Sequence, residues 1–258
     1  MTAVELPPNR FRRGLAEGRQ QIGLWCTIAS AYAAEAVAGS GFDWLVLDTE
    51  HSPSDVVNVL GQLQAVAPYP VAPVVRPAIN DDVLIKRHLD QGAQTLLIPY
   101  VQSAEEAARA VAAMRYPPEG IRGVSGLTRA SRFGRVEGYL QRAEEELCLI
   151  VQVETREALD EIEAIAAVDG VDAIFIGPSD LGASLGHRGN PGHPEVTAAV
   201  EEAIRRVVAA GRPAGVLTPD LDFARRCVAA GTTFTAIGVD LGLLVRGADA
   251  LARGFRKG

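Results

Sequence analysis

Residues 148–180 read CLIVQVETREALDEIEAIAAVDGVDAIFIGPSD. An apolar run over 148–153 leads into a helical stretch, and a second apolar run over 173–177 follows it. Neither run alternates apolar with polar residues, as expected of parallel strands covered on both faces. The stretch is therefore a β-α-β unit, and the pattern recurs in both directions. Similar runs cover 22–28, 44–48, 71–76 and 95–99 upstream, and 214–217 and 235–238 downstream. Eight such runs alternating with helices in 258 residues is the arithmetic of a TIM (β/α)8 barrel. The chain, 1–258, is read as one α/β barrel domain.

The intervening helices carry their own signals. Val56, Leu60, Leu63 and Ala67 repeat at helical spacing behind Ser54 and Asp55, which can cap, and Val196, Val200, Ile204 and Val207 do the same behind Pro194 at a first helical position. Gly92, Gly211 and Gly231 stand where helices should end. Two places strain the pattern. Pro73 falls inside the third run, and a closed barrel has no edge strand to excuse it, so it is expected at the start of that strand. Residues 116–146 hold Pro117, Pro118, Gly120, Gly123 and Gly126, then Arg129, Arg132 and Arg135. An insertion of that length is expected to be a lid or an inter-subunit element.

Composition narrows the function. Basic residues number 25 and acidic 32, giving a net charge of −7, and no basic run stands out. A nucleic-acid surface and an anionic membrane partner are therefore not expected. The charged fraction of 22% beside 48% hydrophobic residues excludes disorder as the main state. Cys26, Cys148 and Cys227 make no metal or redox spacing and read as buried hydrophobes of a reduced, cytoplasmic protein. The N-terminus has no apolar signal region and no run is long enough to span a bilayer. Lys86 and Lys257 are the only lysines, one mid-helix and one at the tail, which argues against Schiff-base chemistry.

In this fold reactive side chains project from the carboxyl ends of the strands. The second run ends in Asp48-Thr49-Glu50-His51, the third in Arg76, the fifth in Gln152-Val153-Glu154, the sixth in Gly177-Pro178-Ser179-Asp180 and the eighth in Asp240. Glu154 and Asp180, from neighbouring strands, suggest an oxygen-ligated divalent ion, Mg²⁺ or Mn²⁺ with Co²⁺ as a further option. Helix capping or pairing with arginine would use the same two acids. Among the four histidines only His51 joins a strand end to adjacent acids, which suits a general base; a hydrogen bond to Asp48 is the alternative. His88 beside Lys86 and Arg87 reads as a surface residue, and His187 and His193 fall in a turn-rich loop. Arg76 can bind a carbonyl or carboxylate oxygen in fixed geometry, or hold Glu50 in a salt bridge. The Gly-rich turn before Asp180 offers backbone N–H groups to an anion.

The segments 41–51, 74–77, 92–99, 115–123, 151–155 and 176–181, in this order, resemble the HpcH/HpaI aldolase family, and within it the 4-hydroxy-2-oxoheptanedioate aldolases. The resemblance runs from about residue 14 to residue 255. It implies a TIM barrel with a bound divalent ion, in a homo-oligomer, often a hexamer, whose dimers exchange a C-terminal helix. It implies Glu154 and Asp180 as metal carboxylates, His51 as catalytic histidine, Arg76 as the pyruvate-binding arginine and Asp90 as the aspartate paired with that histidine. Leu217 matches an aldehyde-pocket residue, with Leu221 as a second candidate. Gln152, Ser179 and Asp180 are expected to join Arg76 in binding substrate, with Asp48 and Glu50 as candidates to support them. Thr49 replaces a usual glycine, Ser179 a usual alanine, and Phe133-Gly134 a Trp-Asn pair, changes that touch pocket size more than chemistry. The implied reaction is reversible cleavage of a 4-hydroxy-2-oxo acid to pyruvate and an aldehyde. A 2-keto-3-deoxy sugar-acid aldolase and a non-catalytic keto-acid-binding barrel are the alternatives.

One geometric expectation concerns Asp90. It closes a helix that runs antiparallel to the strands, so it should lie about 15 Å of helix away from the face that carries His51. A pairing of the two would then join different subunits.

Overall fold

Strands β1 (Gln21–Cys26) and β8 (Thr232–Val239) lie parallel and side by side, and their pairing closes the sheet. Between them run β2 (Trp44–Asp48), β3 (Ala72–Arg76), β4 (Thr95–Ile98), β5 (Cys148–Val153), β6 (Ala173–Ile176) and β7 (Ala214–Leu217). In this computed structural model, which describes residues 4–256, the eight strands follow one another in sequence order around a closed parallel barrel. The expected TIM barrel is the fold. All eight runs are strands; the largest boundary change is in β8, which begins at Thr232 rather than 235.

Pro73 sits within β3, opposite Leu45 of β2, and not at its start. The register explains why it is tolerated. Ala72 N–H donates to Asp43 O on the β2 side (2.9 Å), so the next amide position faces β4. The ladder to β4 begins only at Val74 opposite Thr95, so the missing N–H interrupts no bond there.

Outward side chains such as Leu45, Leu47, Val75, Leu96 and Val151 pack beneath the helices. Inward ones fill the barrel with Trp25, Trp44, Val46, Val74, Ile150, Phe175 and Phe234. Phe11, from the helix Arg10–Ala16, enters from the amino-terminal end and meets Trp44 and Phe234 edge-on, at centroid distances of 5.7 and 5.4 Å. Gly23 leaves room for Trp44, since a Cβ there would lie 2.2 Å from the indole. Trp25 and Phe175, 5.3 Å apart, form the upper layer and the floor of the cavity above it.

Asp55, not Ser54, caps the helix Val56–Val66 and forms a capping box with Asn58. That helix turns Val59, Leu63 and Val66 inward; Val56 and Ala67 fall at its two ends and Leu60 is half-buried. The helix Pro194–Ala209 buries Val196, Val200, Ile204 and Val207 as spaced. Gly92, Gly211 and Gly231 follow helices with positive φ. All three cysteines are free and buried, and burial pushes their thiols up.

Two expectations are corrected here. His88 is not on the surface: with Ile85 and Leu89 it forms the inward stripe of the helix Asp82–Asp90, while Lys86 and Arg87 turn away. Burial lowers its pKa to about 4. Residues 116–146 are not a lid over the chain's own cavity, which none of them lines. They connect the helix Ala104–Met114 to β5, so they lie at the amino-terminal end of the barrel. There Ala130 N–H donates to Asp90 O (3.1 Å) and Arg129 to Gln91 O (2.7 Å).

The final helix, Asp240–Arg256, buries only Asp240 and exposes Leu241, Leu243, Leu244, Val245, Leu251 and Phe255. Among the described residues no helix is long and apolar enough to cross a membrane.

Candidate active site

The carboxyl ends of the strands open into a cavity of about 620 Å³. Asp48, His51, Arg76, Gln152, Glu154, Ser179, Asp180 and Leu217 all line it, above Trp25 and Phe175. Residues from 48 to 217 thus meet because parallel strands deliver their ends to one face.

Arg76 is the hub. Its Nε donates to Asp48 Oδ1 at 2.8 Å and its Nη2 to Asp48 Oδ2 at 2.7 Å, while Nη1 lies 2.7 Å from Glu50 Oε2. Asp48 also accepts the Glu50 N–H at 3.0 Å, which fixes the turn after β2. Arg76 thus forms the expected salt bridge with Glu50 and also lines the cavity. Its Cζ lies over the Trp25 ring, 5.2 Å from the centroid. Burial alone would lower the Arg76 pKa, but Asp48, Glu50 and Glu154 raise it, so the group stays charged.

Glu154 is buried at 2% exposure. Its Oε1 accepts the Tyr100 N–H at 2.9 Å and its Oε2 accepts from Gln152 Nε2 at 2.5 Å. Burial pushes its carboxyl up to about 7; the bonds from Gln152 and Tyr100 oppose this, and the negative charges of Asp180 and Glu50 add to it. Burial likewise raises Glu50. Gly177 allows β6 to pass this close, because a Cβ there would lie 2.5 Å from Glu154 Oε2. The capping alternative fails for both acids: Thr155 caps the helix after Glu154, and Gly177 holds the cap position before Asp180 with no side-chain bond. Neither acid forms an ion pair with arginine among the described residues.

This donor set suits a hard divalent cation. Glu154 and Asp180 face a cavity whose acids crowd one guanidinium that is already engaged. Gln152 Oε1 is buried with no hydrogen-bond partner, a further oxygen available to an ion or a substrate.

His51 stands at the lip, its side chain 63% exposed, with Nε2 4.0 Å from Glu50 Oε2. It does not bond Asp48, whose two oxygens are held by Arg76. Asp90 does not line the cavity. It ends its helix as expected and accepts from Arg122 Nη2 at 2.8 Å, an ion pair that sequence reading did not foresee. Leu221 is also absent from the cavity: Asp220 caps the helix Leu221–Ala230, and the turn directs Leu221 into a groove with Ile22 and Ile237. Phe223 lines the cavity in its place. Asp240 is structural, accepting from Thr27 N at 2.8 Å and Oγ1 at 3.0 Å. Trp25 and Tyr100 were missed. Trp25 closes an otherwise apolar strand, and Tyr100 acts through its backbone.

Acids, an arginine and a histidine gathered at the carboxyl ends of the strands form a site where enzymes of this barrel fold carry their chemistry. The chain belongs to the HpcH/HpaI aldolase/citrate lyase family, whose model matches residues 21–247. It is 66% identical over 252 residues to the pyruvate aldolase of Rhizobium etli, covering 98% of this chain and 99% of that one. It is 56% identical over 248 residues to the 4-hydroxy-2-oxo-heptane-1,7-dioate aldolase of Klebsiella pneumoniae, covering 96% and 94%. The crystal structure of an HpcH/HpaI aldolase/citrate lyase family protein from Burkholderia cenocepacia superposes with a TM-score of 0.92 at 40% identity, covering 96% and 99%. The protein is an aldolase of this family, and the substrates named for its relatives differ.

Proposed function

We propose that the enzyme reversibly cleaves 4-hydroxy-2-oxo acids to pyruvate and an aldehyde with the help of a divalent ion, Mg²⁺ or Mn²⁺, held by Glu154 and Asp180. The observation that carries this reading is the buried Glu154 carboxylate, close to other acids and without a cationic partner of its own. The ion would supply Lewis acidity at the 2-oxo and carboxylate oxygens of the substrate.

The chain's own groups do the rest. Arg76 holds the 2-oxo oxygen as negative charge grows there; of its five N–H groups the hydrogen bonds to Asp48 engage two, and the Nη1 that pairs with Glu50 keeps donors for substrate. His51 accepts the proton of the 4-hydroxyl group. The C3–C4 bond then breaks, the new carbonyl leaves as the aldehyde, and the electron pair passes into the pyruvate enolate. Protonation at C3 completes pyruvate. Gln152 and Ser179 orient the keto acid, and Leu217 borders the aldehyde. Asp90 would act on His51 of a neighbouring subunit in a homo-oligomer, of which a hexamer with exchanged C-terminal helices is the form the family resemblance implies. The exposed apolar face of the helix Asp240–Arg256 supports such an exchange.

Pyruvate release from 4-hydroxy-2-oxo acids, assayed with and without chelator, tests this reading. Release that a chelator leaves untouched would overturn the role of the ion.

A second reading rests on the outer wall of the cavity, where Thr27, Thr197, Thr218 and Asp220 accompany Leu217. These groups suit a hydroxylated aldehyde, as a 2-keto-3-deoxy sugar-acid aldolase requires. A panel of polar and apolar aldehydes with pyruvate separates the two.

A further inference from the structure

The loop between the helices Pro178–Ser184 and Pro194–Ala209 brings His187 and His193 face to face, with ring centroids 3.6 Å apart and planes 15° from parallel. His187 Nε2 lies 2.8 Å from Glu195 Oε2. One ligand atom from each of the three residues lies within 4.8 Å of the others. We propose that His187, His193 and Glu195 form a binding site for a transition-metal ion such as Zn²⁺, separate from the carboxylates in the barrel.

The distances favour an ion. Zinc bonds of about 2.0–2.1 Å to nitrogen and about 2.0–2.2 Å to oxygen, opened from a right angle to the tetrahedral angle, set the two atoms about 2.8–3.5 Å apart. The His187–Glu195 separation is already at the short end of that range, so an ion replaces the proton now shared between them. His193 contributes a ring nitrogen by turning out of its stack on His187, since imidazole ligates in the plane of its ring, and by giving up the long 3.3 Å contact that its Nδ1 accepts from Glu195 N–H. The loop is braced in advance: His187 N–H donates to Gly182 O at 2.7 Å and His193 N–H to Asn190 O at 3.1 Å. The His187 and Glu195 side chains, 23% and 57% exposed, leave the remaining coordination position to water.

Ligand chemistry sets the ion apart from the one proposed in the barrel. Two imidazoles select Zn²⁺, Ni²⁺ or Cu²⁺ over Mg²⁺, whereas the barrel site is built of oxygens. Binding here has a consequence for the cavity as well, because Pro191 and Gly192, between the two histidines, line its mouth. An ion would tie that segment to the first turn of the following helix.

The test is equilibrium dialysis of the intact enzyme against Zn²⁺ with Mg²⁺ in large excess, with metal counted by mass spectrometry and affinity read with a chromophoric chelator. Wild type should retain Zn²⁺ at a site that His187→Ala, His193→Ala and Glu195→Gln each weaken by at least tenfold, about the least that loss of even an outer partner of a ligand produces. Glu195→Gln keeps both rings and the backbone N–H, so it separates ligation from folding should a histidine variant misfold. Absence of Zn²⁺ binding by wild type under these conditions overturns the site. So does equal binding by wild type and Glu195→Gln. Activity is not needed for the readout, so failure here leaves the aldolase reading untouched.

Discussion

Asp48 and Arg76 occupy register-matched positions at the ends of β2 and β3 and are joined by two parallel hydrogen bonds, of 2.8 and 2.7 Å. The Asp48 side chain is fully buried, and Arg76 is its one cationic partner among the described residues. Arg76→Ala should cost about 3–5 kcal/mol of stability, because it strands a buried carboxylate. Arg76→Lys should recover part of the stability but little of the activity, since an ammonium cannot make the fork. Denaturant unfolding and turnover of both variants check this; a fully active Lys variant would remove the guanidinium geometry from the mechanism.

Glu154→Gln should abolish calorimetrically detectable Mn²⁺ binding in the barrel and turnover with it. The substitution keeps the shape and an acceptor for the Tyr100 N–H, so the fold should persist. An unchanged Mn²⁺ isotherm would refute the assignment.

The Glu154 carboxyl has a folded pKa of about 7 against 4.5 for the free group, so the native metal-free state binds the extra proton between those values. Stability of that state should therefore fall as pH rises from about 4.5 to 7, and Glu154→Gln should lose this share of the fall. Metal competes with the same proton, so Mn²⁺ affinity should climb through that window. Melting curves and titrations at pH 5, 6 and 7.5 measure both trends; parallel curves for wild type and variant would contradict the first.

Leu217→Ala should change aldehyde preference while leaving exchange of the pyruvate methyl protons close to wild type. Leu217 borders the cavity at the end of β7, away from Glu154 and Arg76 in sequence and on a different strand. An aldehyde panel indistinguishable from wild type would take Leu217 out of the pocket.

His51→Ala and Asp90→Asn chains, each inactive alone, should regain partial activity when mixed and reassembled. The asparagine keeps an acceptor for Arg122, which is fully buried at the other end of the pair. Full activity of Asp90→Asn by itself would show that Asp90 serves only to hold Arg122.

The sequence made the barrel legible because each strand is a short apolar run, and all but the fourth end at or beside residues that line the cavity. His51, Arg76, Gln152, Glu154 and Asp180 could all be located by that rule. The same rule overreached at Asp240, whose carboxylate closes the β1 end rather than facing substrate. It could not place Leu221, because one capping turn at Asp220 decides which groove receives it. His88 was misjudged from its charged neighbours, which a helix turns to the opposite face. The partners of Asp90 and Glu154 were out of reach for another reason. Arg122 and the Tyr100 amide are brought in by chain reversals that no local pattern records.

The Phe11 ring, which plugs the barrel from below, rests on Phe234 of the last strand. The helix Arg10–Ala16 therefore has no permanent seat until β8, more than 200 residues later, has been synthesised. The same holds for β1, whose outer edge waits for β8. The nascent chain must carry Phe11, Trp25 and Trp44 uncovered until β8 emerges, and long-range closures of this kind are slow. Its exposure to chaperones and to aggregation is greatest just before the final strand emerges.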